Sequence, residues 1–240
     1  MTDLSLPALR EAVAKPTPYY SHAGITIYHG DCRDILPHVT ADVVVTDPPY
    51  GMGWDGRISR GPNGTGSVGP TKNWGTSIAG DDRPFDPSPF MGFADTVLWG
   101  FNHFPDKLRR GSALVWIKRY DDGFGSFLSD AEIAWCSRGH GVYCKRDVTL
   151  QGESRTRLHP TQKPVAIMRW CFDFVGDGTI LDPFMGSGTT LVAAKQLGRK
   201  AIGIEIEERY CEIAVKRLAQ EVLPLTPIES EPEQKEMLYG

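Results

Sequence analysis

The sequence predicts an α/β fold with a doubly wound, mostly parallel sheet. Three observations support this fold class: short β-branched runs, helical apolar spacing between them, and a glycine-rich turn that joins a strand to a helix. The chain has 240 residues, of which 40% are hydrophobic, and this is enough for the core of one such domain. We therefore expect one domain over residues 25–223.

Strands are predicted in the first half of the chain where apolar residues alternate or run together. Residues 25–28 alternate, and the β-branched run at 42–46 ends abruptly at a pair of prolines. The apolar run Ser112–Ile117 predicts a further strand, whereas residues 90–99 are predicted to be helical. These strands are expected in a buried sheet.

The second half of the chain has the order of a βαβ unit. A helix is predicted to begin after Pro164. It is followed by a strand at 179–181, a helix at 189–197 and a strand at 201–206. A last helix places four apolar residues on one face, namely Tyr210, Ile213, Ala214 and Leu218. Such alternation favours parallel strands with helical crossovers.

Three segments fall outside these elements. Residues 1–24 contain prolines and lack strong periodicity, so we expect an N-terminal arm. Residues 51–84 are rich in Gly, Ser, Asn and Pro and too long for a plain connection, which predicts a mobile, functional loop. Residues 224–240 are acidic and predict a disordered tail.

The formal net charge of −4 excludes a uniformly basic surface. Residues 205–240 hold nine glutamates against four Lys and Arg, so the rest of the chain is slightly positive. Basic residues cluster within 138–158, namely Arg138, Lys145, Arg146, Arg155 and Arg157. This cluster is a candidate phosphate contact, and a solvated charged loop fits it equally well.

The cysteines indicate neither a disulfide framework nor a zinc ribbon, because no C-x-x-C pair occurs. Cys136, His140 and Cys144 are evenly spaced, but Gly139 and Gly141 would break the helix that a metal site of this spacing needs. No metal is therefore expected. No apolar run approaches the roughly 18 residues of a membrane span, and no signal peptide is evident, so we expect a cytoplasmic protein.

Residues 182–190 have the features of a nucleotide-type cofactor site. Gly186 and Gly188 let the backbone approach a ligand closely, between a predicted strand and a helix. Glu205, at the end of the next strand, can accept hydrogen bonds from both hydroxyls of a ribose. A P-loop is disfavoured because no lysine follows the glycines. The alternative for Glu205 is a solvated acid at a strand end.

The tetrapeptide Asp47-Pro48-Pro49-Tyr50 follows a buried strand and should lie at the carboxyl edge of the sheet. The prolines stiffen it and leave the Pro48 carbonyl as a free acceptor. This carbonyl and the Asp47 carboxylate can hold the two hydrogens of an exocyclic amine, while Tyr50 can stack on a base removed from a helix. A structural turn with a packed tyrosine fits the tetrapeptide about as well.

Taken together, these residues resemble the DNA amino-methyltransferases, which methylate adenine N6 or cytosine N4. Residues 47–50 resemble the catalytic tetrapeptide of that family, and residues 182–190 resemble its S-adenosylmethionine loop. Residues 159–164, His-Pro-Thr-Gln-Lys-Pro, resemble the segment that precedes the loop. The resemblance covers about residues 25–218. It implies a Rossmann-like methyltransferase fold with the circularly permuted, β-type motif order.

The resemblance also implies roles for individual residues. Asp47, Pro48, Pro49 and Tyr50 are the expected catalytic residues. The expected cofactor-binding residues are Asp31, Lys163, Pro164, Asp182, Phe184, Gly186, Ser187, Gly188, Thr189 and Glu205. Because permutation leaves the two motif strands adjacent, the methyl donor and the tetrapeptide can still meet. Target recognition is expected between the motifs, and it falls partly to the loop at 51–84 because the segment at 138–158 is short.

The implied reaction is direct methyl transfer from S-adenosylmethionine to a flipped base in double-stranded DNA, without a covalent intermediate. The aspartate of the tetrapeptide favours adenine N6, since cytosine-N4 members more often have serine there. Cytosine N4, an RNA or protein-glutamine substrate, and an inactive DNA-binding homologue are the alternatives, in that order. The resemblance raises two further partners, a second copy of this chain and a cognate restriction endonuclease.

Overall fold

The computed structural model describes residues 15–53, 78–125, 129–149 and 162–220. Within these ranges the strands are β1 (Tyr20–His22), β2 (Ile25–His29), β3 (Val43–Thr46), β4 (Asp95–Trp99), β5 (Ser112–Ile117), β6 (Ala131–Cys136), β7 (Val142–Arg146), β8 (Ile180–Asp182) and β9 (Ala201–Glu205). The α-helices are α1 (Cys32–Ile35), α2 (Val165–Cys171), α3 (Thr189–Gln196) and α4 (Glu208–Ala219).

The strands form one mixed sheet in the order β1-β2-β9-β8-β3-β4-β6-β5-β7. Neighbouring strands from β2 to β4 are parallel, and β5 is parallel to β7. The antiparallel strands are β1 at one edge and β6, which lies between β4 and β5. The prediction of an α/β fold with a mostly parallel sheet is therefore confirmed.

The centre of the sheet is formed by β3 and β8, which pair in parallel although they are far apart in the chain. Val43 lies opposite Ile180 and Val44 lies opposite Leu181. Since parallel strands end at the same edge of a sheet, the residues that follow β3 and β8 are neighbours in space. This pairing places the tetrapeptide beside the glycine-rich turn.

Both faces of the central strands are covered, which explains why β3 and β4 are buried along their whole length. Val43 and Val45 point into one apolar cluster, together with residues of α2, α3 and α4. Val44 points into a second cluster on the opposite face, which also contains Ile35 and Phe90. The alternation follows from the two-residue period of a strand.

The prediction of a helix at residues 90–99 is wrong. A short 3-10 turn at Ser88–Phe90 is followed by β4, Asp95–Trp99, which pairs with β3 and β6. Because β4 is buried on both faces, its sequence has no polar alternation that would distinguish a strand from a buried helix. The β-branched residues Thr96 and Val97 were the available signal for a strand.

The sheet begins earlier than predicted, inside the segment assigned to the N-terminal arm. Tyr20–His22 pairs antiparallel with Ile25–His29 across a two-residue turn. Ala23 and Gly24 have φ values of +48° and +79°, as the turn of a twisted hairpin requires. The pair Ala-Gly was overlooked as a hairpin signal.

The other predicted elements agree with the structure. The predicted strands correspond to β2, β3, β5, β8 and β9, and the predicted helices to α2, α3 and α4. In α4 the buried side chains include Cys211, whereas Ile213 is half-buried. Among the described residues, no helix combines the length and apolarity needed to cross a membrane. Most of the loop at 51–84 and the whole acidic tail lie outside the described residues.

Candidate active site

A cavity of about 650 Å³ lies at the carboxyl edge of the sheet. Its wall includes the tetrapeptide that follows β3 in the chain, the turn that follows β8, and Glu205 at the end of β9. The volume is within the range of pockets that hold ligands of drug or cofactor size. One cavity therefore contains both candidate motifs.

Asp182 links the two motifs through hydrogen bonds. The Thr46 hydroxyl, at the end of β3, donates to Asp182 Oδ1 at 2.6 Å, and the Thr190 hydroxyl donates to Oδ2 at 2.5 Å. The backbone N–H of Phe184 also donates to Oδ1, at 3.2 Å. Burial raises the pKa of Asp182 to about 6, against these hydrogen bonds. Asp182 therefore holds the glycine-rich turn against the end of β3.

Glu205 holds the glycine-rich turn at its other end. Its Oε2 accepts from the Gly186 N–H at 2.9 Å, and its Oε1 accepts from the Glu207 N–H at 2.8 Å. Burial raises the pKa of Glu205 to about 7, although both backbone hydrogen bonds oppose the shift. The carboxylate is fixed at the cavity wall and keeps free lone pairs for a ligand.

Arg217 supports the glycine-rich turn from outside the cavity wall, and the sequence analysis missed it. Its Nη1 donates to the Ser187 carbonyl at 2.6 Å and to the hydroxyls of Ser187 and Thr189, both at 3.1 Å. Arg217 lies on α4, and its spacing from the turn gives no local signal of this contact. The guanidinium therefore fastens the turn to α4.

Aromatic rings form the apolar part of the cavity wall. Phe184 packs edge-on against Phe85 and Phe90, with ring centroids 5.8 and 6.0 Å apart. Asp31 also lines the cavity, at the start of α1, where it forms an ion pair with Arg33. Hydrogen bonding from Arg33 lowers the pKa of Asp31. A flat apolar wall beside a fixed carboxylate suits a purine nucleoside.

The catalytic end of the cavity is organised around Asp47. Its Oδ1 accepts from the Tyr50 hydroxyl at 2.5 Å, and its Oδ2 accepts from Lys163 Nζ at 2.6 Å. Burial raises the pKa of Asp47, whereas the Lys163 ammonium favours its charged form. A carboxylate has about four lone-pair sites, so two remain for hydrogens of a substrate.

Glu132 and Lys118 extend this cluster and were not predicted. Glu132 Oε2 accepts from Lys163 Nζ at 2.8 Å, and its Oε1 accepts from Lys118 Nζ at 2.9 Å. Glu132 lies near the start of β6, and because β6 is antiparallel, its start lies at the carboxyl edge of the other strands. A lone acid in an otherwise apolar strand was the signal in the sequence.

Tyr50 is held on two sides. Its ring stacks on His103 with centroids 4.8 Å apart and an angle of 11° between the planes. Gly100, the residue after β4, lies against the Tyr50 ring, so that a Cβ at this position would be 2.1 Å from Tyr50 Cε1. The base-stacking role of Tyr50 stays a prediction, and in this structure one face of its ring is covered by His103.

We expect Gly100→Ala to lower kcat by about 100-fold, because a displacement of the Tyr50 ring of about 1 Å is enough for a loss of this size. Gly100 also has a φ of +72°, so alanine adds backbone strain. Gly198→Ala is the matched control, since its φ is +65° and an added Cβ meets nothing within 4 Å. Steady-state kinetics at saturating cofactor would measure both variants. Equal losses of kcat would mean that strain, and not Tyr50, is responsible.

Comparison with known proteins points to DNA methyltransferases as relatives of this chain. A family model described as DNA methylase matches residues 115–216. The Type II methyltransferase M.ScaI of Streptomyces caespitosus is 28% identical over 93% of this chain and 90% of its own length. The Type II methyltransferase M2.LlaDCHI of Lactococcus lactis subsp. cremoris is 27% identical, over 84% of this chain and 91% of its own length. These comparisons support the DNA amino-methyltransferase family for this chain.

A solved structure supports the fold described above. The structure titled PvuII DNA methyltransferase (cytosine-N4-specific) has a TM-score of 0.54. It covers 88% of this chain and 91% of its own, at 13% sequence identity. At that identity the likeness concerns the architecture alone.

The structure brings most of the predicted site residues to one cavity. Its wall includes Asp31, Asp47, Pro48, Pro49, Tyr50, Lys163, Asp182, Phe184, Gly186, Ser187, Thr189 and Glu205. Pro164 and Gly188 are not part of this wall. They lie at the first turns of α2 and α3, where the Pro164 carbonyl accepts from the N–H groups of Ile167 and Met168. Their contact with a cofactor stays a prediction.

The basic segment at 138–158 is only partly described. Arg138 forms an ion pair with Asp95 at 3.5 Å, and Arg146 forms one with Asp121. These acids reduce the positive charge that the sequence analysis assigned to the segment. Residues 150–161, which include Arg155, Arg157 and His159, lie outside the described residues. Within the described ranges, no three His, Cys, Asp or Glu side chains are grouped to hold a metal.

Proposed function

We propose that this chain is a DNA amino-methyltransferase that transfers a methyl group from S-adenosylmethionine to adenine N6 of a flipped base in double-stranded DNA. The single observation that carries the proposal is the shared cavity, in which the tetrapeptide and the glycine-rich turn are joined by the hydrogen bond from Thr46 to Asp182. A donor held at the turn and an acceptor held at the tetrapeptide are therefore neighbours. The similarity to DNA amino-methyltransferases favours adenine N6 or cytosine N4 as the acceptor.

The residues at the turn fit S-adenosylmethionine. Glu205 offers carboxylate lone pairs at the wall, and the Phe184 ring provides an apolar face for an adenine. Asp31 is a second acidic group on the same wall. When bound, S-adenosylmethionine supplies an electrophilic methyl group on a sulfonium. The role of the chain is to orient the acceptor nitrogen and to exclude water.

Asp47 and Pro48 act on the acceptor nitrogen. The lone pair of an exocyclic amine is delocalised into its ring, so the amine is a weak nucleophile. When the Asp47 carboxylate and the Pro48 carbonyl accept hydrogen bonds from its two hydrogens, the nitrogen becomes more tetrahedral and its lone pair can attack the methyl group. As the new N–C bond forms, the methyl–sulfur bond would break, the sulfonium would leave as a neutral thioether, and the surplus proton on the nitrogen would pass to Asp47 or to water. Preorganised acceptors of this kind cost no reorganisation during the reaction.

Adenine is the proposed base because aspartate stands at position 47. Cytosine N4 is the second candidate, since both amino groups offer the same two hydrogens to Asp47 and Pro48. Base flipping is part of the proposal, because Asp47 lines a cavity and a base stacked within a duplex would have to leave the helix to enter it. A homodimer and a cognate restriction endonuclease remain proposals as partners, as do the roles of residues 51–84 and 138–158 in recognition.

The experiment that tests the proposal is incubation with labelled S-adenosylmethionine and unmethylated duplex DNA, followed by nucleoside digestion and mass spectrometry. N6-methyladenine is the expected product. N4-methylcytosine would preserve the mechanism and change the base. Label in RNA or protein, and none in DNA, would contradict the proposed substrate.

A further inference from the structure

The ammonium group of Lys163 makes three hydrogen bonds within the chain. Its side chain is 4% exposed, and its Nζ lies 2.6 Å from Asp47 Oδ2 and 2.8 Å from Glu132 Oε2. A third hydrogen bond, of 3.4 Å, reaches the Tyr50 hydroxyl. An ammonium group has three donors, and all three are directed at these residues. No donor of Lys163 is left for a cofactor.

Glu132 holds Lys163 in place from a strand of the sheet. Its backbone lies in β6, opposite Trp116 of β5. Its other carboxylate oxygen is held by Lys118 at 2.9 Å. The Lys163 ammonium also lies 5.2 Å from the centroid of the Trp99 ring. The position of Lys163 is thus defined independently of Asp47.

Burial raises the pKa of Asp47 and the charge of Glu132 acts in the same direction, whereas the Lys163 ammonium opposes both. Burial disfavours the charged form of Glu132, but Lys163 and Lys118 outweigh it and lower its pKa to about 2. Burial likewise acts against charged Lys163, yet Asp47 and Glu132 together raise its pKa well above the ordinary value. Asp47 therefore faces an ammonium that stays charged at neutral pH. Such a counter-ion compensates for the cost of a carboxylate in a half-buried site.

We propose that Lys163, held by Glu132, is a positioning residue for Asp47 and not a ligand of the cofactor. The pair orients the Asp47 carboxylate and keeps it negatively charged, so that it can accept a hydrogen of the target amine. This inference rests on the proposed function. It differs from the role that the family resemblance implied for Lys163.

The first test is Lys163→Met, measured by kcat, by the dissociation constant of S-adenosylmethionine and by the pH profile of kcat. We expect kcat to fall by about 100-fold, as for the loss of a positioned catalytic group. Cofactor affinity should change by less than about threefold. Activity is lost as the pH falls through the pKa of Asp47, and removal of the ammonium raises that pKa. The acid limb of the profile should therefore move to higher pH.

The second test is Glu132→Gln, which keeps the shape of the side chain and removes its charge. We expect a fall in kcat of about tenfold in the wild-type background and little further fall in Lys163→Met, because Glu132 acts through Lys163. Additive losses would contradict the proposal. If Lys163→Met does not fold, as thermal unfolding would show, Glu132→Gln alone decides, and an unchanged kcat overturns the proposal.

Lys216→Met is the matched control, because Lys216 is exposed on α4 and outside the cavity wall. A folded Lys163→Met variant with weaker cofactor binding and normal kcat would assign Lys163 to the cofactor and overturn the proposal. The wild-type protein separates the two hypotheses. If it transfers no methyl group, the proposed function fails; if it is active and Lys163→Met behaves like Lys216→Met, only the positioning role fails.

Discussion

Substitution of Asp47 by alanine should reduce methyl transfer by about 1,000-fold or more, while the dissociation constant of S-adenosylmethionine stays within about threefold of the wild-type value. The carboxylate acts on the amine, and its contacts in the structure are with Tyr50 and Lys163, not with the glycine-rich turn. Removal of the carboxylate also leaves Lys163 with a single counter-ion, Glu132. The loss should therefore appear in kcat.

Two further variants define the role of Asp47. Asp47→Asn keeps an acceptor oxygen and loses the charge, so its activity should lie between that of the wild type and that of Asp47→Ala. Asp34→Ala is the control, because Asp34 is an exposed acid on α1 outside the cavity wall. Single-turnover kinetics and calorimetry would measure transfer and binding separately. Parallel losses of transfer and affinity in Asp47→Ala would exclude a role confined to the amine.

Substitution of Glu205 by alanine should weaken the binding of S-adenosylmethionine by about 10- to 100-fold, the equivalent of one hydrogen bond to a charged group. The carboxylate is proposed to accept from the ribose, and it also holds the turn through the Gly186 N–H. Calorimetric titration would measure the affinity, with Glu208→Ala as a control because Glu208 is exposed at the start of α4. Unchanged affinity would remove Glu205 from the cofactor site.

The same residue predicts a pH dependence of binding. Burial raises the pKa of Glu205 to about 7, and a protonated carboxyl group is a poorer acceptor for ribose hydroxyls. Affinity for S-adenosylmethionine should therefore rise as the pH increases through about 7. In Glu205→Gln this dependence should disappear, since the amide does not titrate. A slope that persists in Glu205→Gln would have to come from another group.

Much of the fold could be predicted because its signals are local. The βαβ unit around residues 182–190 is marked by a short apolar strand, a glycine turn and a helix ended by Gly198. The run at 42–46 ends at prolines that no strand interior accepts. The prediction failed at β4, where burial on both faces removes the periodicity on which it depended. It also missed β1, whose partner is defined by a turn of two residues.

The sequence predicted individual residues of the candidate site, but not the contacts between their side chains. Sequence placed Asp47 and Glu205 at strand ends, and the family resemblance implied that the two motifs meet. The resemblance assigned Lys163 to the cofactor, whereas the structure places its ammonium against Asp47, which lies 116 positions away in the chain. Glu132 and Arg217 were missed because neither belongs to a motif.

The sequence by itself determined the class of fold, the two motifs and the edge of the sheet at which each should lie. These features depend on the conformational preferences of a few consecutive residues. The tertiary structure alone decided which side chains share a charge cluster, and that Gly100 lies against the ring of Tyr50. Contacts of this kind depend on the order of strands in the sheet and on the antiparallel direction of β6. Hydrophobic periodicity does not encode strand order, because every buried strand shows the same pattern whichever strand is its neighbour.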